Sequence, residues 1–190
     1  TYSHTEFTIL NEVLEKATGK TMPELFEENI FKPLGLKNTG YSTTPELPSP
    51  VLHSYSKDRG VYEDATFWNP SWTGGSGPLY SNIRDIGKFG YIFGTGKLIS
   101  EESFKILTSQ YKGLNSPQPY FASGFAVYNG WYFQNPSFNG YSGAFGFQPD
   151  DEYTVVVYST IGEETETGAK AFMVFKELIQ IITPDKPLDF

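Results

Sequence analysis

Apolar residues in the first third of the chain are spaced as on one face of a helix. They recur at steps of three and four residues, at Phe7, Leu10, Leu14 and Ala17. Gly19 follows at the place where a left-handed residue commonly ends a helix. The pattern therefore predicts a helix over residues 5–18.

A second helix is predicted to begin at Thr21. Thr21-Met22-Pro23-Glu24 has the form of a capping box with proline in the first turn, and we expect Pro33 and Gly35 to end the helix. Residues 41–77 are rich in Pro, Ser, Gly and Thr and show no sustained period. We expect a long surface loop there, with function as an open option.

The hydrophobic period changes along the rest of the chain. Ser81 or Asn82, and then Ser100, are expected to cap two further helices. The next segments are dense in Phe, Tyr, Val and Trp and are separated by turn residues, as antiparallel strands are: 120–128, 131–134, 137–147 and 153–160. An apolar stripe predicts a last helix that stops before Pro184: Phe172, Phe175, Ile179 and Ile182.

These elements predict an α+β fold with an antiparallel sheet flanked by helices. We expect a helical lobe with the long loop over residues 1–118. The sheet and the terminal helix are expected over residues 119–190, in one structural unit with the lobe.

The charge balance disfavours several classes of partner. The 190 residues include 14 Lys and Arg against 22 Asp and Glu, a net charge of −8 at pH 7. So few basic residues predict no binding to nucleic acid and none to an anionic membrane surface. The sequence has no apolar run of 18 residues and no basic-then-apolar leader, so we expect neither a membrane span nor an export signal in it.

Metal and thiol chemistry are disfavoured as well. The sequence has no cysteine, which excludes disulfides, thiolate catalysis and cysteine-ligated metals. Its two histidines, His4 and His53, are too few for a multi-histidine site. We expect no metal and no cofactor. Aromatic residues make up 17% of the chain, and such rings either line a cleft or pack in a sheet.

Two short motifs with catalytic associations are not convincing here. In a Ser-x-x-Lys pair the lysine lies one helical turn from a serine that it can deprotonate, and the pair occurs at Ser54–Lys57 and Ser109–Lys112. Neither pair opens an apolar helix. Gly94-Thr95-Gly96-Lys97 is not a phosphate loop either, because the first glycine and the magnesium-binding hydroxyl of that motif are missing. A turn at the end of a helix explains these residues better.

Several longer segments, in a fixed order along the chain, carry a family resemblance. They are Tyr2-Ser3-His4-Thr5, 9–20 and 30–39 near the start, 67–72, 75–77, 85–86 and 94–100 in the middle, and 139–144 with 153–160 near the end. Together they resemble the serine β-lactamase-like family, which includes class C β-lactamases, D-alanyl-D-alanine carboxypeptidases and related esterases. The resemblance implies a β-lactamase/transpeptidase-like fold.

The resemblance also implies that the nucleophile lies outside this chain. Members of the family carry a Ser-x-x-Lys motif well upstream of a Tyr-x-Asn motif, and this chain starts at that tyrosine. By the resemblance, the N-terminal part of the fold is absent from these 190 residues. We expect that missing N-terminal segment to be a partner of the chain, which alone would be inactive.

The second motif of the family corresponds to Tyr2-Ser3-His4, and the resemblance implies that Tyr2 and His4 are catalytic. Tyr2 would shuttle protons, although a phenol with a pKa of about 10 is a poor base unless a cation lies nearby. His4 stands where the family has Asn. An imidazole can both donate and accept a hydrogen bond, and it titrates near neutrality. The alternative is that Tyr2 only fixes the entry to the helix.

The third motif of the family is Lys or His, then Ser or Thr, then Gly, and the segment that resembles it is Tyr141-Ser142-Gly143. The resemblance implies that Tyr141 and Ser142 hydrogen-bond a substrate carboxylate and that Gly143 permits close approach. The main-chain N–H of Ala144 would form half of an oxyanion hole. Because Tyr carries no positive charge, recognition of a penicillin-like carboxylate should be weakened. The alternative is that these glycines merely mark bends in a strand.

Taken together, the resemblance and the residues indicate the C-terminal part of a serine hydrolase of esterase or D-amino-acid peptidase type. Its substrate would be a small ester or peptide rather than a β-lactam. The alternative function is a catalytically inactive penicillin-binding-protein-like module that holds cell-wall peptide or glycan. A third interpretation is a structural half that needs its partner to cover sheet edges and apolar helix faces. The resemblance implies an exported location, in the cell envelope or outside the cell.

Overall fold

The computed structural model describes residues 3–110, 119–163 and 170–189. The helical elements are α1 (His4–Thr18), α2 (Met22–Phe26), a π-helical turn (Glu27–Phe31), α3 (Lys32–Leu34), a 3₁₀ segment (Pro70–Ser76), α4 (Ile83–Gly94), α5 (Glu101–Thr108) and α6 (Lys170–Ile182). The strands are β1 (Gly40–Tyr41), β2 (Tyr55–Ser56), β3 (Glu63–Asp64), β4 (Leu79–Tyr80), β5 (Tyr120–Phe121), β6 (Ala126–Tyr128), β7 (Trp131–Gln134), β8 (Ser137–Phe138), β9 (Tyr141–Gln148) and β10 (Tyr153–Thr160).

The predicted helix boundaries are confirmed. Gly19 ends α1 with φ of 68°, and Thr21 forms the capping box with Glu24 at the start of α2. The side chain of Asn82 accepts the Asp85 N–H at 2.8 Å and so caps α4. Ser100 caps α5 in the same way. These helices begin and end at residues that satisfy exposed main-chain groups locally, which is why the sequence predicts them well.

The segment over residues 41–77 is more ordered than the surface loop expected from the sequence. Strands β2 and β3 form a hairpin within it, and β1 pairs with β4 just beyond it. Ser54 and Ala65 are buried, and the Ala65 N–H donates to the Ser54 carbonyl at 2.9 Å. The segment is therefore folded on itself, and its two ends are joined, by main-chain hydrogen bonds that hydrophobic periodicity does not reveal.

The main sheet is antiparallel, with strand order β10-β9-β7-β6-β5 and with β8 also paired to β9. Two of the predicted strands are each divided in two. Residues 122–125 separate β5 from β6, and the turn at Asn139 and Gly140 separates β8 from β9. Both turn residues have positive φ, 44° and 81°, as a two-residue hairpin turn requires.

Helices cover the two faces of this sheet. On one face, α6 places Phe175 and Ile179 against Trp131 and Phe133 to form the main core. On the other face, α4 lies so close that a Cβ at Gly94 would overlap the ring of Phe147. Helices and antiparallel sheet thus form the predicted α+β fold. In the three described ranges, every helix is too short or too polar to cross a bilayer.

Candidate functional site

The start of α1 is the part of the second motif that the structure describes. His4 is the first residue of α1 and is exposed, and its carbonyl accepts the Thr8 hydroxyl at 3.3 Å. Tyr2 lies outside the described residues. The catalytic roles expected for these two residues therefore stay predictions.

Two further parts of the chain meet the first two turns of α1. On one side, Thr8 lies against Gly74 of the 3₁₀ segment, where a Cβ would be 2.9 Å from the Thr8 methyl group. On the other side, the ring of Phe7 lies against Gly124, 3.8 Å from where a Cβ would be. The start of α1 is thus held between the 3₁₀ segment and the turn that precedes β6.

The same two parts are joined to each other through the sheet. The Gln134 side chain, at the end of β7, donates to the Gly124 carbonyl at 3.0 Å. Four residues later, the ring of Phe138 packs on Trp72 of the 3₁₀ segment, with centroids 5.5 Å apart. These contacts form a circuit that passes through the first two turns of α1 and is completed along the chain between Gln134 and Phe138. We call it the contact ring, and its residues are Phe7, Thr8, Trp72, Gly74, Gly124, Gln134 and Phe138.

The structure places the Tyr141–Ala144 segment in the interior of the sheet. It opens β9, which has β10 along one edge and β8 and then β7 along the other. The Tyr141 hydroxyl donates to the Leu52 carbonyl at 2.7 Å. Ser142 is 2% exposed, and its hydroxyl accepts the Ala171 N–H at 3.4 Å, on the α6 side of the sheet. Both hydroxyls predicted to bind substrate are therefore engaged within the protein.

The amide of Ala144 is also directed into the sheet. In an antiparallel sheet the N–H and C=O of one residue point to one neighbouring strand, and those of the next residue point to the other. The Gly143 N–H donates to the Pro136 carbonyl at 2.8 Å, and the Gly140 carbonyl accepts the Ile161 N–H at 2.8 Å. Even-numbered residues of β9 therefore face β10. This geometry does not support the oxyanion-hole role expected for the Ala144 N–H.

Gly143 has a packing role in this arrangement. A Cβ at this position would lie 2.5 Å from the Tyr158 ring on β10. Burial raises the pKa of Tyr158 from 10.0 to about 12. The phenol therefore stays protonated at neutral pH, and the glycine leaves room for its ring. Room for Tyr158 is a structural reason for glycine here, and close approach by a substrate stays a prediction.

The end of β7 contributes Gln134 to the contact ring, and the sequence did not single it out as a site. Gln134 is the last residue of β7, and Asn135 and Pro136 after it are exposed. The Asn135 N–H donates to the side-chain oxygen of Gln134 at 3.0 Å. The signal was the Asn-Pro pair directly after a strand of alternating burial. The pair is one of the turns that separate the predicted strands 131–134 and 137–147, and the sequence indicates no more than that, although polar groups beyond a strand end often carry function.

An imidazole–carboxylate pair lies next in the chain to Leu52, whose carbonyl accepts the Tyr141 hydroxyl. His53, next to Leu52, pairs through Nδ1 with the Asp64 carboxylate at 2.7 Å. The other carboxylate oxygen accepts the Thr66 N–H at 2.9 Å. Hydrogen bonds from Thr66, and then from His53, lower the pKa of Asp64 from 3.8 to about 2. The pair fixes the β2–β3 hairpin close to the carbonyl that Tyr141 bonds.

A cavity of about 340 Å³ shares Gly74 with the contact ring and extends away from it. It is lined by Asn11, Glu15, Thr21, Pro23, Tyr41, Ser42, Thr43, Ser71, Gly74 and Pro78. The Glu15 carboxylate accepts the Met22 N–H at 2.8 Å, and the Asn11 amide donates to the Tyr41 hydroxyl at 3.3 Å. Its polar side chains thus serve the packing of α1. Within the described ranges, no group of three or more His, Asp or Glu side chains is placed to hold a metal ion.

Comparisons with known proteins agree with this fold. Residues 1–176 match the family model described as Beta-lactamase. The chain is 23% identical over 180 residues to the putative penicillin-binding protein PbpX of Bacillus subtilis, covering 94% of this chain and 44% of that protein. The chain therefore spans less than half the length of this relative.

Solved structures give the same result. A penicillin-binding protein from Bacillus halodurans superposes with a TM-score of 0.78 at 22% identity, covering 94% of this chain and 55% of the other. A D-stereospecific amidohydrolase from Streptomyces sp. superposes with a TM-score of 0.73 at 25% identity, covering 82% and 48%. The fold, the order of the segments and the family match lead to one conclusion: the chain belongs to the beta-lactamase family.

Proposed function

We propose that the chain is part of a serine hydrolase that works through an acyl-enzyme, with the serine supplied by a segment outside these 190 residues. The observation that carries the proposal is the contact ring. In a chain of this family, it gathers the start of α1, the 3₁₀ segment and the end of β7 around one surface. Thr8, which lies against Gly74 on this surface, is one helical turn from His4, and we propose that the serine is brought to this surface.

The reaction that this site would support is acyl transfer in two steps. The serine oxygen attacks an ester or amide carbonyl and its proton passes to Tyr2 or His4, which then protonates the leaving alcohol or amine. Water next attacks the acyl carbonyl and gives up a proton to the same residues. The bond between the acyl carbon and the serine oxygen then breaks, that proton returns to the serine oxygen, and the acid is released. His4 can serve in both directions, because an imidazole donates at one nitrogen and accepts at the other.

The proposed substrate is a small ester or a D-amino-acid amide or peptide. The similarity to a D-stereospecific amidohydrolase supports the D-configuration. Tyr141 offers no positive charge, and its hydroxyl is engaged with Leu52. A β-lactam, which presents a free carboxylate, would therefore lack a cationic partner at this position.

Two features of the exposed surface support the proposal that a second segment of polypeptide packs on this chain. In the part of the chain that the structure describes, β10 pairs with β9 alone and so forms an edge of the main sheet. Large apolar side chains on the outer side of α6 are exposed: Met173, Val174, Leu178, Ile181 and Ile182. Such an edge and such a face are unfavourable in water. We propose that the upstream segment that carries the serine covers them.

The proposal is tested on the protein that includes the upstream segment. A fluorophosphonate probe should label its serine, and the protein should hydrolyse a p-nitrophenyl ester. Tyr2→Phe and His4→Ala should each lower kcat/KM by about 10²-fold, the usual scale of acid–base catalysis. The matched controls are Tyr153→Phe, on the exposed start of β10, and His53→Ala, and they should retain activity within about threefold.

Two results would overturn the proposal. One is turnover that does not depend on Tyr2 or His4. The other is tight binding of a cell-wall peptide or glycan with no labelled serine, which would establish the inactive binding module instead.

A further inference from the structure

We propose that Trp72 and Phe138, continued by Tyr141 and Leu52, form a shelf that binds an aromatic or bulky apolar side group of the substrate. We call these four residues the aromatic shelf. The proposal rests on the proposed function for what this side group is attached to. It adds a specificity for the group beside the scissile bond.

The shelf is exposed although it consists of large apolar side chains. Trp72 is 72% exposed and Leu52 is 58% exposed. The Trp72 ring is nevertheless held in place, because it packs on Phe138 with centroids 5.5 Å apart and planes inclined by 34°. A fixed aromatic surface in contact with water is a favourable binding site for another ring, because little side-chain freedom remains to be lost.

Tyr141 and Leu52 continue the surface that Trp72 and Phe138 form. Phe138 and Tyr141 oppose each other across the β8–β9 hairpin, so that their side chains lie on the same face of the sheet. The Tyr141 hydroxyl reaches the Leu52 carbonyl at 2.7 Å and fixes the adjoining loop. Tyr141, which the family resemblance assigned to binding a substrate carboxylate, thus helps to build an apolar surface.

The location connects the shelf with the proposed reaction. Trp72 and Phe138 both belong to the contact ring, which passes through the start of α1. Gly74, two residues after Trp72, lies against Thr8, one turn beyond His4. A substrate whose carbonyl lies near His4 would therefore place an attached side group within reach of the shelf.

The polar groups beside the shelf favour an apolar group over a sugar. A sugar that stacks on an aromatic ring also needs hydrogen-bond partners around that ring. Here the Tyr141 hydroxyl is engaged with Leu52, and the Ser137 hydroxyl donates to the Tyr141 carbonyl at 3.2 Å. The Asn69 side-chain oxygen accepts the Ser71 N–H at 2.9 Å. An aryl or bulky alkyl group needs only the surface itself.

The test compares two neutral probes that differ by one phenyl ring. Binding of N-acetyl-D-phenylalaninamide and of N-acetyl-D-alaninamide is measured by calorimetry and by tryptophan fluorescence, which requires no turnover. We expect the phenylalanine probe to bind about tenfold more tightly, in line with one ring contact plus its buried area. Trp72→Ala should reduce that preference to about twofold or less, whereas Trp72→Phe should keep most of it.

The matched control is Trp68→Phe. Trp68 lies four residues away and is covered by the Arg59 guanidinium, 4.4 Å from its ring centroid. This variant should keep the full preference. Because Trp72 is largely exposed, neither substitution at that position should unfold the protein.

Three outcomes would overturn the shelf: equal affinity of the parent chain for both probes, an unchanged preference in Trp72→Ala, or Trp72-dependent binding of an N-acetylglucosamine tetramer without a preference between the amides. Failure of the proposed function looks different. A Trp72-dependent preference in a protein whose serine is never labelled and which hydrolyses no ester would support the aromatic shelf and contradict the proposed hydrolase function. Ester hydrolysis without a preference for the phenylalanine probe would contradict the aromatic shelf alone.

Discussion

Gly140 lies directly against the main chain of Tyr55. A Cβ at Gly140 would be 2.6 Å from the carbonyl carbon and 2.7 Å from the nitrogen of Tyr55. Gly140 also has φ of 81°, in the left-handed region. The contact joins the β8–β9 turn, between Phe138 and Tyr141 of the aromatic shelf, to the β2–β3 hairpin, which follows Leu52 in the chain.

Gly140→Ala should therefore destabilise the protein through two effects. The left-handed backbone costs a non-glycine residue about 1–2 kcal/mol, and the overlap with Tyr55 should add about 1–3 kcal/mol. Urea unfolding followed by circular dichroism measures the sum.

Gly60→Ala separates these two effects. Gly60 also has positive φ, 85°, but a Cβ there meets no atom within 4 Å of those that the structure describes. It should cost about 1 kcal/mol only, because strain is its sole penalty. Equal losses in the two variants would contradict the contact with Tyr55.

Asp64→Asn should change how stability depends on acid. The hydrogen bonds from Thr66 and His53 hold the folded-state pKa of Asp64 at about 2, below its ordinary 3.8. The carboxylate therefore stabilises the folded state above pH 4, and this contribution is lost as the pH falls from about 4 to about 2. The parent should exceed Asp64→Asn in melting temperature at pH 5, and the difference should disappear near pH 2.

Asp58→Asn is the control for removing one negative charge from the same hairpin. A melting-temperature difference that follows the same course in both variants would mean that general charge, and not the hydrogen bonds of Asp64, is responsible.

Local rules explain why much of this fold could be predicted. The capping box of Thr21 and Glu24 and the left-handed Gly19 satisfy main-chain groups within one turn of the chain. Asn129 and Gly130, between the predicted strands 120–128 and 131–134, adopt positive φ values of 46° and 80°, as a two-residue turn demands. Each of these features depends on residues close in sequence, so the sequence alone identifies it.

The candidate site depended on information that is not local. The segment at Tyr141 resembles a family motif, yet strand order decides whether its amides face a substrate or another strand. Here β9 has neighbours on both edges, while the end of β7 reaches Gly124, which in turn lies against Phe7. The sequence contained the Asn135-Pro136 break but gave no indication of which strand end would lie beside α1.

Tyr158→Phe should make the protein more resistant to alkali. Burial raises the pKa of Tyr158 to about 12, whereas an unfolded tyrosine ionises near its ordinary value of 10.0. The unfolded state therefore releases this proton first, and the parent loses stability as the pH rises from 10 to 12. Between pH 8 and pH 11, urea unfolding should show a loss about 1 kcal/mol smaller for Tyr158→Phe than for the parent.

Tyr153→Phe is the matched control on the same strand, because Tyr153 is exposed. It should lose as much stability as the parent over this range. A parent curve that coincides with that of Tyr158→Phe would show that the buried phenol ionises normally.

Ser142→Ala distinguishes the structural role of this hydroxyl from the substrate-binding role expected from the family resemblance. In the structure the hydroxyl is buried and accepts the Ala171 N–H at the start of α6. Removing an acceptor from a buried N–H costs about 1–3 kcal/mol, and we expect a loss of this size in urea unfolding. The matched control is Ser137→Ala, because Ser137 is exposed and lies opposite Ser142 across the β8–β9 hairpin, and it should cost no more than about 0.5 kcal/mol. Binding of N-acetyl-D-alanine, which carries a free carboxylate, should be the same in both variants. Unchanged stability combined with weakened binding in Ser142→Ala would mean instead that this hydroxyl turns away from α6 to meet the ligand, as the family motif implied.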